Sequence, residues 1–171
     1  MSQNNYRNSK GVPKLHLILS TGFGTGYAPF APGTAGALLA LVGWYLLYLV
    51  LTPTALLWTT LALIIVTTIV GAWTSGVMEK YWGKDPRTVN IDEFVGTWIP
   101  LLIANVANPW ITAALAFSGF ALFRIIDIFK PLGCRWVDEK VGGGWGVMLD
   151  DVLAGTYALL ILWAARLVFG I

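Results

Sequence analysis

Apolar residues run in long blocks along this chain, and polar residues gather in a few short stretches between them. Residues 35–51 (AGALLALVGWYLLYLVL) form one block and residues 54–74 a second, separated by Thr52 and Pro53. A bilayer crossing takes about 20 residues of helix, so the first block is a little short and the second ample. Pro53 suits a first helical position after a tight turn. Beyond a polar stretch at 79–93, apolar residues resume from Phe94 to Ile126, too long for one span and too short for two. Asn105, Asn108 and Pro109 punctuate this block. They predict a short helical hairpin with its tip near residues 105–109 and a first arm, holding Pro100, that is shortened, tilted or only partly crossing. A glycine-rich polar segment follows at 130–151, and a last helix is predicted from about Asp151 to Phe169. The expected fold is all-α and membrane-integral, with about five membrane-embedded helices. A single domain over residues 15–171 would follow a basic flexible tail at residues 1–14.

Composition agrees with this solvent assignment. Hydrophobic residues make up 57% of the chain and charged residues 12%, with mean hydropathy +0.70; soluble domains carry about 25% charged residues. Residues 15–78 and 94–123 contain no Asp, Glu, Lys or Arg. If the N-terminus is cytoplasmic, five embedded helices put every charged residue except Arg166 on the cytoplasmic side. The positive-inside rule accounts for the lysines and arginines. It does not account for all nine acids sharing that face, and this surplus of carboxylates asks for a function. The net charge of +2 and the lack of a basic run set nucleic acid aside as a partner. Trp73, Trp82, Trp98, Trp110, Trp136 and Trp145 mostly fall near the expected interfaces and read as membrane anchors.

The carboxylates concentrate at expected helix ends. Asp92 and Glu93 would open the third helix, Asp127 closes the fourth, and Asp150 and Asp151 would open the fifth. Arg124 and Asp127 share one helix face a turn apart, and Pro131 biases Lys130 towards an extended backbone. Each group also has an ordinary structural reading. Acids favour the first turn of any helix, Asn90 with Glu93 resembles a capping box, and Arg124 with Asp127 could be a structural ion pair. Their coincidence at one depth of a charge-poor protein favours a shared site. Cys134 is the one cysteine and His16 the one histidine, so a multi-histidine zinc site is impossible. The remaining all-oxygen donor set suits a hard divalent cation such as Mg²⁺. Residues 22–26 (GFGTG) and 32–36 (PGTAG) can offer backbone N–H groups to a phosphate, although glycines in membrane proteins also serve close helix packing. The 142–146 stretch (GGGWG) reads as a flexible connector or lid.

Elimination narrows the chemistry. A cysteine phosphatase needs Arg six residues after its Cys, but Lys140 stands there. Histidine phosphatases need more than one histidine. Asp138-Glu139 lacks the Asp-x-Asp of aspartyl-phosphate enzymes, and the acid spacing is not that of CDP-alcohol phosphotransferases. Metal-assisted chemistry by carboxylates survives.

Four segments in register, the glycine stretches at 22–36, 92–98 (DEFVGTW), 123–131 (FRIIDIFKP) and 142–151 (GGGWGVMLDD), resemble the bacterial phosphatidylglycerophosphatase A family over roughly residues 17–165. The resemblance implies a Mg²⁺-dependent inner-membrane phosphatase that converts phosphatidylglycerol phosphate to phosphatidylglycerol, with its site on the cytoplasmic face. On this reading Asp92, Glu93, Asp127, Asp150 and Asp151 form the catalytic pool, with Glu93, Asp127, Asp150 and Asp151 as metal ligands. Arg124, Lys130, Gly33, Thr34 and Gly36 would receive the phosphate. Two alternatives remain: a polyisoprenyl diphosphate phosphatase, suggested by Pro32-Gly33-Thr34, and a non-enzymatic transporter or subunit using the acids as an ion site.

Overall fold

A computed structural model describes residues 11–84, 86–131 and 133–170, without the side chains of Arg135, Asp138 and Glu139. The basic tail expected at residues 1–14 therefore lies outside the described residues up to residue 10, as do the side chains of Asp138 and Glu139. The described residues form helices α1 (Lys14–Ser20), α2 (Pro32–Val50), α3 (Pro53–Trp82), α4 (Asp92–Leu101), α5 (Pro109–Phe129), α6 (Cys134–Lys140) and α7 (Gly143–Phe169), with one 3₁₀ turn at Thr25–Tyr27. Four of them, α2, α3, α5 and α7, are long and apolar enough to cross a membrane. Their outer faces carry Leu46, Leu49, Trp58, Ile65, Ile69 and Phe117 in the open. Such a surface would be a liability in water and is ordinary against lipid tails.

Helix starts are set by local chemistry. Pro32, Pro53 and Pro109 each occupy the first turn, where a missing N–H costs nothing. Thr52 and Asn108 accept hydrogen bonds from Ala55 and Trp110 N–H at 3.4 and 2.9 Å, satisfying donors that the helix leaves orphaned. At about 1.5 Å per residue, the 30 residues of α3 outrun the bilayer and carry Glu79 and Lys80 beyond it.

The organising element is α4. It has only 10 residues, and Glu93 through Leu101 are all buried among α2, α3, α5 and α7. A helix of about 15 Å covers half the hydrocarbon core. Residues 102–108 complete the crossing without regular structure, reaching Asn105 beside Pro53 and Leu56 at the α2–α3 turn. Irregular backbone survives at such depth only when protein groups satisfy it. Here Thr112 Oγ1 accepts from Val106 N–H and donates to Val106 O, both at 3.1 Å, and the Arg166 guanidinium donates to Ile103 O. Trp98 Nε1 donates to Ala40 O at 3.0 Å. The enclosure of α4 relies on small residues: a Cβ on Gly155 would stand 2.6 Å from Gly96 O, so α4 and α7 meet backbone to backbone.

Several expectations are corrected. The last helix begins at Gly143, not near Asp151, so residues 143–146 are its first turn and neither a lid nor a connector. The reason is packing: a Cβ on Gly144 would lie 1.8 Å from Ala72 O, and glycine there lets α7 seat directly on α3. Asp150 and Asp151 consequently sit two turns inside α7. No capping box forms at Asn90 and Glu93, because Ile91 is the N-cap of α4. The Asn90 amide instead donates to Thr25 Oγ1 at 2.9 Å and Pro32 O at 3.0 Å, tying the glycine-rich turn to the start of α4. Lys130 is left-handed (φ 45°, ψ 58°), not extended, as it turns the chain out of α5. Trp82 and Trp98 are core residues, while Trp73, Trp110, Trp136 and Trp145 are exposed.

Candidate active site

The charged end of the bundle encloses a cavity of about 590 Å³. Five separate segments build its walls. The first turn of α4 supplies Asp92 and Glu93, and the last turns of α5 supply Arg124, Asp127 and Ile128. Lys130 follows on the left-handed residue after α5. Helix α7 contributes Val147, Asp150 and Asp151, and the start of α2 contributes Pro32 and Gly33, with Arg87 and Val89 coming from the α3–α4 connection. Asp150 and Asp151 point inward because α7 begins early enough to carry them past its own N-terminus into the bundle.

The side chains are linked by charge. Arg124 Nη1 pairs with Glu93 Oε2 and with Asp127 Oδ2, the latter at 3.0 Å, and Lys130 Nζ pairs with Asp150 Oδ2. Glu93, Asp150 and Asp151 are 8%, 6% and 4% exposed, depths at which an ionised carboxylate needs compensation. Five carboxylates line the cavity against three cations, Arg87, Arg124 and Lys130, leaving two formal negative charges over. One oxygen of Asp151, Oδ2, is buried with no hydrogen-bond partner. Asp127, Asp150 and Asp151 each offer an oxygen within 4.8 Å of the others. A hard divalent cation fits all three observations. It matches the surplus charge, meets the orphaned oxygen, and accepts a carboxylate set completed by water.

Of the residues singled out from sequence, Asp92, Glu93, Asp127, Asp150, Asp151, Arg124, Lys130 and Gly33 share this cavity. Glu93 belongs to the Arg124 ion pair and not to the three-carboxylate cluster. Thr34 and Gly36 do not line the cavity. Gly36 instead packs on Asn90, whose Nδ2 would stand 2.6 Å from a Cβ there. Gly33 stands against the charged pair: a Cβ there would be 1.9 Å from Glu93 Oε1 and 3.2 Å from Arg124 Nη2, so a larger residue would push the Glu93 carboxylate aside. Arg87 was missed by sequence reasoning, since it stands in an ordinary polar stretch; its spacing from Asp92 was the available signal. Cys134 lies buried against Phe123 and Ala154. Burial, and then the Asp150 and Asp127 charges, push its thiol above the usual range, which makes it a poor nucleophile. His16 is held edge-on to Trp73 at 4.4 Å and takes no part in the cavity.

The arrangement is equipped to hold a dianionic phosphate beside a metal ion. Arg124 is held by two carboxylates, and α2 starts at the same cavity with Pro32 and Gly33, a helix N-terminus being a setting that favours anions.

Comparison with known proteins bears on this chemistry. A family model described as phosphatidylglycerophosphatase A matches residues 18–166. A Bacteroides thetaiotaomicron protein provisionally named phosphatidylinositol-3-phosphatase is 52% identical over 156 residues, covering 91% of this chain and 96% of that protein. Phosphatidylglycerophosphatase A of Escherichia coli is 38% identical over 148 residues (85% of this chain, 80% of that one). The Haemophilus influenzae protein of the same name is 36% identical over 169 residues (97% and 98%). No solved structure matches the chain.

Proposed function

The chain is a membrane phosphatase of the phosphatidylglycerophosphatase A family, and from that premise we propose that it hydrolyses the terminal phosphate monoester of phosphatidylglycerol phosphate, with Mg²⁺, at the cytoplasmic face of a bacterial inner membrane. The observation that carries the reading is the cluster of Asp127 with the buried Asp150 and Asp151 beside Arg124, at the end of the bundle where a lipid headgroup arrives. Mg²⁺ held by these three carboxylates would polarise a phosphoryl oxygen and lower the pKa of a bound water. Arg124 takes two phosphate oxygens through its planar guanidinium, which Glu93 and Asp127 hold in place. Lys130 adds a second positive charge, and the N–H groups around Gly33 complete the anion cradle. Asp92, which lines the same cavity, is suited to accept the proton of the attacking water; as the water oxygen bonds to phosphorus the phosphorus–oxygen ester bond breaks, and Asp92 returns that proton to the departing lipid alkoxide. Burial of Glu93, Asp150 and Asp151 strengthens each of these charge interactions.

A second reading concerns the headgroup. The Bacteroides thetaiotaomicron relative is named for a phosphoinositide, and an inositol 3-phosphate ester presents the same phosphomonoester chemistry on a bulkier ring. Purified full-length protein in micelles, given phosphatidylglycerol phosphate, phosphatidylinositol 3-phosphate or a polyisoprenyl diphosphate, with Mg²⁺ or EDTA, separates the readings. Phosphate release from the first substrate, abolished by EDTA, is the expected result. Preference for the second reassigns the headgroup. Release only from the diphosphate, or from none, rejects the proposal.

A further inference from the structure

We propose that the groove between α5 and α7 is the subsite that seats an acyl chain of the lipid phosphomonoester; this deepens the function proposed above and rests on it. The groove has a volume of about 740 Å³ and is lined by Ser118, Ala121, Leu122, Ile125, Leu162 and Ala165 among others. Its position relative to the acidic cavity is the observation that counts. Ile128 lines that cavity, and Ile125 lines the groove. They stand three residues apart on one face of α5, and Ala121 and Ser118 continue the same stripe away from the site. The two helices that carry Asp127 and Asp151 are therefore also the two walls of the groove.

Dimensions agree. From Ile125 to Trp110, the α5 residues bordering the groove cover roughly 22 Å at 1.5 Å per residue. One leaflet of hydrocarbon is about 15 Å deep, so the α5 wall is long enough to flank a chain that enters beside Ile128, and the α7 wall joins it from Ile161 onward. The other apolar depressions are less well connected. The α2–α5 depression, about 300 Å³ around Val42 and Phe117, is cut off from the site by Ala37 and Phe120, which close the seam in a buried cluster. The one between α3 and α4, about 430 Å³ around Phe23 and Trp98, lies behind Gly22 and Asn90, which pack together. An acyl chain is the occupant because the walls, apart from Ser118 and Arg166, are apolar, face lipid, and lead to the acidic cavity.

Ser118 is exposed on the groove wall, so Ser118→Trp fills the groove without entering the core. The experiment compares dioleoyl with dihexanoyl phosphatidylglycerol phosphate in micelles, for unmodified protein, Ser118→Trp, and Val42→Trp in the rival α2–α5 seam. The ratio of kcat/KM for long over short chains should fall about tenfold in Ser118→Trp, the equivalent of losing roughly two buried methylenes, and stay put in Val42→Trp. A structural lesion would lower both substrates together and leave the ratio unchanged. In parallel, a phosphatidic acid bearing a photoactivatable acyl tail should label α5 and α7 peptides. An unchanged ratio in a Ser118→Trp protein that keeps its short-chain activity, a fall in Val42→Trp instead, or labelling confined to α2 overturns the proposal. Absence of hydrolysis by the unmodified protein would reject the function itself, while the labelling would still read the groove.

Discussion

The two ends of α4 are both buried, yet they are built on opposite principles. At its C-terminal end, irregular backbone at residues 102–108 is met by side chains of α5 and α7: Thr112 serves Val106 in both directions, and the Arg166 guanidinium donates to Ile103 O. At its N-terminal end, Asp92 and Glu93 open into a cavity with surplus negative charge and an orphaned Asp151 oxygen. One end closes its hydrogen-bond account and holds the fold; the other leaves it open for a ligand. Buried polar groups are ordinarily satisfied, so the charged end is the one with capacity left for a ligand.

Substitutions at each end should separate these roles. The largest effect belongs to the metal-ligand candidates. Asp127→Asn and Asp151→Asn should lower Mg²⁺-dependent phosphate release by at least about a hundredfold, while size-exclusion profiles in detergent stay normal. Turnover within a few-fold of unmodified protein would contradict the three-carboxylate site. Next, Arg124→Lys should reduce kcat/KM by about tenfold to a hundredfold, since an ammonium cannot replace the bidentate fork between Glu93 and Asp127. Steady-state kinetics decide whether that loss occurs. Gly33→Ala should cost about tenfold in kcat/KM, because the added methyl must displace Glu93 from Arg124; a fully active alanine variant would remove Gly33 from the cradle.

At the other end of α4, Thr112→Val should lower thermal stability by about 1 kcal/mol, read as a reduced Tm in detergent. Its activity per folded molecule should stay unchanged, and an activity loss at full stability would erase the distinction between the two ends. Smallest of all, Cys134→Ala should leave kcat within about twofold of unmodified protein, the thiol being buried and above its usual pKa.

How much of this was legible beforehand depends on the range of the interactions involved. The two blocks at 35–51 and 54–74 became α2 and α3, and the punctuated block at 94–126 became a short buried arm and a full span, because hydropathy, proline and asparagine act locally. The carboxylates that share the cavity were also identifiable, since ionisable residues in an apolar chain stand out by their cost. Boundaries set by contact were not. The glycines at 143–146 read as a loop in isolation, and only the close approach of Gly144 to the Ala72 carbonyl makes them the first turn of α7. Asn90 looked like a helix cap and proved to be a bridge to Thr25 and Pro32.

What the sequence alone determined is the solvent of the protein, its all-α architecture and the family it resembles, because these follow from which residues can be buried in hydrocarbon and from motifs contiguous in the chain. What only the tertiary structure decided is the division of labour among the acids. Asp127, Asp150 and Asp151 converge while Glu93 is drawn to Arg124, because that choice depends on distances between helices far apart in the chain, and spacing along one chain does not encode them.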